Sequence, residues 1–180
     1  MKFVRKIIPL MLCVTLMFAS ITTVSAYQLK PYKWDTSSIH YYYDNWVGAR
    51  AIQFFITGVN AWNSANADAT ISSGGENFAY FCVAQYPDAE WDGMVSTSYS
   101  NGYVTSQILT INQGITRTWS SDGALKSVIV HEIGHVFCLG DNGTTCTIMN
   151  GYTWGDNSRY GGYSLTTPQR DDINGVNAIY

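Results

Sequence analysis

The sequence predicts a single α+β domain, and three observations support this. Its apolar residues alternate between strand and helical spacing, in the order strand, helix, strands, helix, loop, helix. That order is typical of a sheet covered by helices mainly on one face. No internal repeat or low-complexity linker divides the 180 residues, and their number suits one domain once an N-terminal segment is removed.

The first half of the chain predicts strands around one amphipathic helix. Residues 38–43 alternate weakly and are rich in aromatic side chains, which is typical of a strand. Residues 48–64 have helical periodicity, and their apolar stripe consists of Ile52, Phe55, Val59 and Trp62. Residues 70–71 and 79–83 are candidate strands, whereas the small, polar residues 93–101 predict a loop.

The second half predicts one strong strand and two helices. Residues 102–112 are rich in β-branched side chains, which favours a strand. Ser120-Ser121-Asp122 offers an N-cap for the next helix, and Gly140 is expected to end it. The buried stripe of this helix is predicted to consist of Leu125, Val128, Ile129, Val136 and Leu139. A last helix is expected over residues 167–180, with Pro168 near its first turn and Asp171 and Asp172 close behind.

The N-terminus has the pattern of an export signal. Basic residues at positions 2, 5 and 6 precede an apolar run from Ile7 to about Ala19. Val24-Ser25-Ala26 resembles a cleavage site, so residues 1–26 are predicted to be a signal peptide and residues 27–180 a secreted domain. An uncleaved anchor is the alternative, but the run is short for a membrane span. No second apolar span follows, so no stable membrane association is expected after cleavage.

The charge of the mature chain narrows its possible partners, and its cysteine count limits its possible disulfides. Without the three basic residues of the signal segment, 7 basic residues face 13 acidic ones, a net charge of −6. This balance argues against nucleic acid or an anionic membrane as the partner. Three cysteines remain, and an exported protein permits a disulfide. Pairing of Cys138 with Cys146, leaving Cys82 free, is favoured; three free thiols are the alternative.

His131-Glu132-Ile133-Gly134-His135 is the most informative motif of the chain. Residues four positions apart lie on one face of a helix, so both imidazoles can reach one metal ion. In the H-E-x-x-H motif the two histidines bind zinc, and the glutamate is the general base of a metallopeptidase. A chance match on a helix surface is the alternative, and the export signal and the helical context argue against it.

The candidates for a third zinc ligand are found by elimination, because catalytic zinc usually has three protein ligands. No histidine follows His135 and no glutamate follows Glu132, so a downstream glutamate ligand is impossible. The remaining donors are His40, Asp141, Asp156, Asp171 and Asp172. Asp141 is favoured, since it directly follows Gly140, where the chain is expected to turn back. As an Asp-Asn-Gly sequence it also fits a solvated turn.

The run HEIGHVFCLGD followed by TIMNGY resembles the metzincin zinc peptidases, and within them the matrixin-like enzymes. VNAWNSA looks like their first helix and PQRDDINGVNAIY like their C-terminal helix. Asp141 stands where most members have histidine, as in the snapalysin-like bacterial enzymes, and Met149 fits the methionine beneath the metal. Cys138 replaces the family's turning glycine. Either Cys138 itself adopts the unusual backbone angles, or the turn shifts to Gly140.

The resemblance implies a zincin/metzincin-like fold: a twisted, mostly antiparallel-edged sheet packed on two long helices, with a small C-terminal helical subdomain. It further implies a secreted, monomeric zinc metalloendopeptidase whose substrate is a protein or peptide. We expect Glu132 to be the base, His131, His135 and Asp141 to hold Zn²⁺, and the strand at 102–112 to lie at the sheet edge and pair with the substrate.

Two alternatives and one further cofactor stay open from the sequence. A secreted zinc-binding module without peptidase activity has the same ligands, with Cys138 as a fourth. An aspzincin-type peptidase also uses an aspartate ligand, but its G-T-x-x-D pattern is absent after Gly143. Structural Ca²⁺ at residues 141–143 or 155–157 is a further expectation, although no defined calcium loop is present. Tyr152 stays outside the predicted catalytic set, because packing is the commoner role of a tyrosine.

Overall fold

The computed structural model describes residues 27–143 and 145–180, so the predicted signal segment lies outside the described residues. In chain order the described elements are β1 (Gln28–Leu29), β2 (Ser38–Tyr43), α1 (Ala49–Asn63), β3 (Thr70–Ser73), β4 (Phe78–Ala84), β5 (Gly93–Ser100), β6 (Tyr103–Asn112), α2 (Thr116–Trp119), α3 (Asp122–Val136), β7 (Leu139–Gly140) and α4 (Arg170–Ile179). Within these residues, no helix combines the length and apolarity needed to cross a membrane.

The main sheet has five strands in the order β3-β2-β4-β6-β5. Strand β2 runs parallel to β3 and β4, and β4 runs parallel to β6. Only β5 is antiparallel to its neighbour, so one edge of this mixed sheet is antiparallel and the other, β3, is parallel. Strands β1 and β7 form a separate antiparallel pair.

Two sequence predictions about strands were wrong. The strand expected at the sheet edge, residues 102–112, pairs on both sides, and four consecutive residues at its end are buried on both faces of the sheet. The edge is instead β5, which was predicted to be a loop. Six of its eight residues are Ser, Thr, Gly or Tyr, so the alternation of half-buried and exposed positions leaves little apolar pattern in the sequence.

The two long helices pack against each other and enclose the core with the sheet. Helix α1 confirms the predicted helix at 48–64 within one residue at each end. Trp62 Nε1 donates a hydrogen bond to the Val130 carbonyl of α3 at 2.8 Å. A Cβ atom at Gly58 would lie 2.7 Å from Ile129 Cγ2, so only glycine permits this close approach of the helices. Helix α3 is therefore buried on most sides.

Helix α3 begins where the sequence predicted but ends earlier. The Ser121 side chain accepts a hydrogen bond from the Ala124 backbone and caps the helix. The helix ends at Val136, and Leu139 and Gly140 belong to β7. Cys138 makes the turn with a φ of 68°, so Gly140 is not the cap that the sequence suggested. The predicted C-terminal helix is confirmed as α4, with Gln169 and Asp172 forming its capping box.

Candidate metal centre

His131 and His135 face each other on α3, as their spacing predicts. Their Nε2 atoms are 3.1 Å apart. His131 Nδ1 lies 2.8 Å from the Ile148 carbonyl oxygen, and His135 Nδ1 lies 2.8 Å from the Leu139 carbonyl oxygen. A carbonyl oxygen only accepts, so each Nδ1 carries a proton and donates it. In the neutral rings both Nε2 atoms therefore present lone pairs.

Asp141 completes a cluster of three acceptor atoms. Its Oδ1 lies 3.3 Å from His131 Nε2 and 3.5 Å from His135 Nε2. Zinc bonds of about 2.0–2.1 Å at tetrahedral angles place ligand atoms about 3.3 Å apart, which is close to all three separations. Two imidazole nitrogens and one carboxylate oxygen suit zinc better than magnesium or calcium, which prefer oxygen ligands throughout. The residues present therefore fit a zinc ion.

The titration of these groups shows the same attraction for a cation. Burial lowers the pKa of His131 to about 3, so that ring is neutral. Burial opposes protonation of His135 as well, but its hydrogen bond to Asp141 raises its pKa above the ordinary value. Burial alone would raise the pKa of Asp141, yet the two histidines hold it well below its usual range. Without a metal, these groups attract a proton to the space between the two Nε2 atoms and the Asp141 carboxylate.

The turn that delivers Asp141 depends on Cys138 and not on a disulfide. Cys138 is buried and takes the left-handed conformation, while its carbonyl accepts a hydrogen bond from the Lys30 backbone at 3.0 Å. Pairing of β1 with Leu139 and Gly140 then fixes the chain just before Asp141. The favoured disulfide was wrong, since Cys138 faces the core, Cys146 is exposed, and both are free thiols.

The other candidate third ligands lie elsewhere. The described residues contain one group of three metal-capable side chains, and it consists of His131, His135 and Asp141. His40 contacts Ser72 on the neighbouring strand. The Asp172 carboxylate accepts hydrogen bonds from the backbone of Ile148 at 2.9 Å and Met149 at 3.2 Å. Helix α4 thereby holds the segment whose carbonyl orients His131, which is a positioning function and not a ligand function.

Met149 packs directly beneath the metal-binding helix. Its side chain is fully buried. A Cβ atom at Gly134, inside the histidine motif, would overlap Met149 Sδ. The methionine and the glycine therefore fit against each other, and the position of Met149 fixes the neighbouring Ile148 carbonyl.

Glu132 lies between the histidines and the edge strand. Its carboxylate is buried, with Oε1 4.0 Å from His131 Nε2, and its Oε2 has no hydrogen-bond partner among the described residues. Burial raises the pKa of Glu132 to about 7. A Cβ atom at Gly93 would lie 2.7 Å from Glu132 Cγ, so β5 passes directly against the side chain. A carboxyl group with this pKa is suited to take and return a proton near neutral pH.

An open cleft of about 490 Å³ joins these groups. Besides the histidines and Asp141, its walls include Glu132, Met94 and Thr97 of β5, and Tyr152, Trp154 and Arg159 from the segment after Met149. The sequence did not single out β5 or Arg159 for this site. Arg159 belongs to a stretch rich in Gly, Asn and Tyr, where an arginine is usually exposed, and nothing in its spacing marks it as buried.

Comparisons with known proteins show only a likeness of fold. No protein-family model matches the chain, and no curated protein sequence matches it. Among solved structures 70 chains match, and one belongs to the GM1 bound form of the ECX AB5 holotoxin. That chain is 15% identical with a TM-score of 0.56, and the match covers 79% of this chain and 80% of the other.

Proposed function

We propose that this protein is a secreted, monomeric zinc metalloendopeptidase that hydrolyses protein or peptide substrates. One observation supports it above the others: the Nε2 atoms of two histidines and a carboxylate oxygen converge beside a buried glutamate in an open cleft. Three acceptors this close repel one another unless a cation lies between them. The site thus has the ligands, the base and the access that metal-assisted hydrolysis needs.

His131, His135 and Asp141 would hold the zinc ion. Bound there, zinc would act as a Lewis acid that lowers the pKa of a coordinated water toward about 7 and polarises the substrate carbonyl. The backbone carbonyls of Ile148 and Leu139 orient the two rings through Nδ1 and so keep both Nε2 lone pairs directed at the centre.

Glu132 is the proposed general base. Its unpartnered Oε2 can accept the proton of the attacking water and pass it to the departing amine nitrogen. The raised pKa helps both steps, because a carboxyl group near pH 7 binds and releases a proton with similar ease.

Strand β5 replaces the strand at 102–112 as the proposed substrate-binding edge. Among the residues that the structure describes, no strand pairs with its outer edge, and Met94, Val95 and Thr97 line the cleft. An extended peptide can add to such an edge through backbone hydrogen bonds, while its side chains enter the cleft. A free strand edge beside Glu132 therefore favours cleavage in the interior of a peptide chain.

The test uses the purified mature chain, residues 27–180. Bound zinc is measured, and cleavage of an unstructured protein is assayed with and without a chelator. Glu132→Ala should keep zinc and lose activity, whereas Asp141→Ala should lose both. Asp156→Ala, a matched exposed aspartate outside the cluster, should keep both. Full zinc binding and activity in Asp141→Ala would refute the ligand assignment.

A zinc-binding module without catalysis is the competing outcome. A purely structural site is usually closed by a fourth protein ligand. Cys138, the sequence's candidate for that position, is not part of the described cluster, which leaves a coordination position open and favours the peptidase. Failure of the zinc-loaded protein to cleave any member of a broad peptide library would favour the binding module. Structural calcium stays a prediction, checked by the effect of calcium on the unfolding midpoint.

A further inference from the structure

Arg159 is a buried cation that meets only neutral partners. The residue as a whole is 2% exposed. Nη1 donates to the Asn150 carbonyl at 2.8 Å, and Nη2 donates to Thr153 Oγ1 at 2.7 Å. The buried Nε has no hydrogen-bond partner among the described residues. A guanidinium group has five N–H donors in a planar fork, so most of its donor capacity is unused.

No carboxylate of residues 27–143 and 145–180 forms an ion pair or a hydrogen bond with Arg159. Glu132, Asp92 and Asp141 act on its charge only from a distance. Asp92 accepts a hydrogen bond from Thr118, and Asp141 faces the two histidines. A buried charge without a counter-ion is costly, so the cation lacks the partner that would normally justify it.

The position of Arg159 shows where such a partner can come from. Its side chain lines the same cleft as His131 and Glu132. Tyr152 and Trp154 line the same cleft, and Arg159 itself is almost completely buried. A charge-assisted hydrogen bond gains strength in such surroundings, because little water competes for the donors.

We propose that Arg159 forms a carboxylate-binding subsite, so that the preferred substrate carries a carboxylate next to the scissile bond. This inference rests on the proposed peptidase function. The carboxylate has two sources, an Asp or Glu side chain or the C-terminal carboxylate of a short peptide. Both present the two oxygens that a guanidinium fork binds side by side.

A purely structural function, in which Arg159 only braces the loop between Asn150 and Arg159, does not explain why the buried side chain is a cation. Asn150 O and Thr153 Oγ1 are neutral acceptors, which a neutral donor can satisfy equally well. If Arg159 only braced the loop, its loss would slow cleavage of all peptides to the same degree. If it binds a carboxylate, its loss removes selectivity between an acidic peptide and its neutral analogue.

The first experiment uses the zinc-loaded wild-type chain and a peptide library made by digesting an unfolded protein. Mass spectrometry identifies the cleaved bonds. We expect Asp or Glu to be enriched at one position beside the cut, or cuts to cluster near free C-termini. Matched peptides then compare Asp with Asn at that position, and a free C-terminus with an amide. In at least one of these pairs, the peptide with the carboxylate should have a kcat/KM about tenfold or more above that of its neutral partner. Equal values in both pairs would overturn the proposal.

The second experiment uses Arg159→Gln and Arg159→Lys on the same peptides. In Arg159→Gln, the acidic and the neutral peptide should have nearly the same kcat/KM, mainly because KM for the acidic peptide rises. The neutral peptide should still be cleaved. Lys should retain part of the ratio, since it keeps the charge but not the fork. Arg170→Gln is the matched control, because Arg170 is exposed and does not line the cleft. An equal loss on all peptides in Arg159→Gln would show a bracing function and refute the subsite.

A binding experiment keeps the inference separate from the proposed activity. The zinc-loaded Glu132→Ala variant is titrated by calorimetry with the matched acidic and neutral peptides. Tighter binding of the acidic peptide, lost when Arg159→Lys or Arg159→Gln is added, supports the subsite even if the wild type cleaves nothing. Absence of cleavage refutes only the peptidase function, whereas equal affinity for both peptides refutes the carboxylate subsite.

Discussion

Replacing Gly134 with alanine measures how tightly the metal-binding helix packs on Met149. The added Cβ atom would overlap Met149 Sδ and lie 3.1 Å from Trp62 Cζ2. In a helix interior alanine is favoured over glycine by about 1 kcal/mol. Overpacking a core costs about 1–3 kcal/mol. The second effect outweighs the first, so we expect the free energy of unfolding to fall by about 1 kcal/mol.

The same substitution should weaken the metal centre. Ile148, next to Met149, supplies the carbonyl that orients His131. Moving Met149 displaces that carbonyl, and loss of a group that orients a ligand typically lowers metal affinity about 10- to 100-fold. Urea unfolding in the presence of a chelator measures stability without metal. Competition with a chromophoric chelator measures zinc affinity.

Two further variants separate the opposing contributions. Asn60→Ala, on the exposed face of α1, adds helix propensity without new contacts and should gain about 0.5 kcal/mol. Adding Met149→Ala to Gly134→Ala removes the overlapping atoms, so the double variant should be less destabilised than the sum of the single ones by about 1 kcal/mol. The reasoning is refuted if Gly134→Ala is more stable than wild type and binds zinc equally tightly.

Three other predictions concern the turn, α4 and the metal. Cys138→Val should lower the free energy of unfolding by about 2 kcal/mol, because a β-branched residue is strained at a φ of 68°. Cys82→Val on strand β4, the control, should lower it by less than about 0.5 kcal/mol. Equal losses for the two variants in urea unfolding would contradict this reasoning. Burial raises the pKa of Asp172 from 3.8 to about 6, so the folded state binds its proton before the unfolded chain does. The stability of wild type relative to Asp172→Asn should therefore grow by up to about 3 kcal/mol between about pH 7 and pH 4, measured with chelator present, and a flat difference would be evidence against it. Zinc at about 1,000 times its Kd should raise the unfolding free energy by about 4 kcal/mol, and Asp141→Ala should lose most of this gain; an unchanged midpoint in the wild type would exclude the zinc site.

Local patterns predicted the parts of the molecule that local geometry determines. Helix α1 followed from its apolar stripe, and the facing of His131 and His135 followed from a spacing of four residues on a helix. Elimination left five candidate donors, and Asp141 was favoured because it directly follows Gly140; its Oδ1 lies within 3.5 Å of both His Nε2 atoms. The helix and the histidine pair depend on neighbours within about one or two turns of chain, whereas the place of Asp141 also depends on the pairing of β1 with Leu139 and Gly140.

The remaining features depend on contacts between distant segments. Whether residues 102–112 form an edge or an internal strand depends on where β4 and β5 pair, and no local pattern records that. Cys138 takes a backbone conformation for which glycine is preferred, because its buried side chain and its pairing with residue 30 hold it there. Arg159 is buried by the fold of the loop around it, although its neighbours in sequence suggest an exposed position.

The parallel strand pairs also affect the order in which the molecule assembles. They join segments far apart in the chain, as in His40 with Phe78 and Ala79 with Gln107. Contacts of such long sequence separation form slowly, whereas a helix forms in about a microsecond. The pairing of β1 with β7, which fixes the chain next to Asp141, also joins distant segments, Gln28 with Gly140, so the two histidines of α3 can be present before Asp141 arrives. We expect zinc added at the start of refolding to meet an incomplete site, so the rate of recovery should depend on when the metal is supplied.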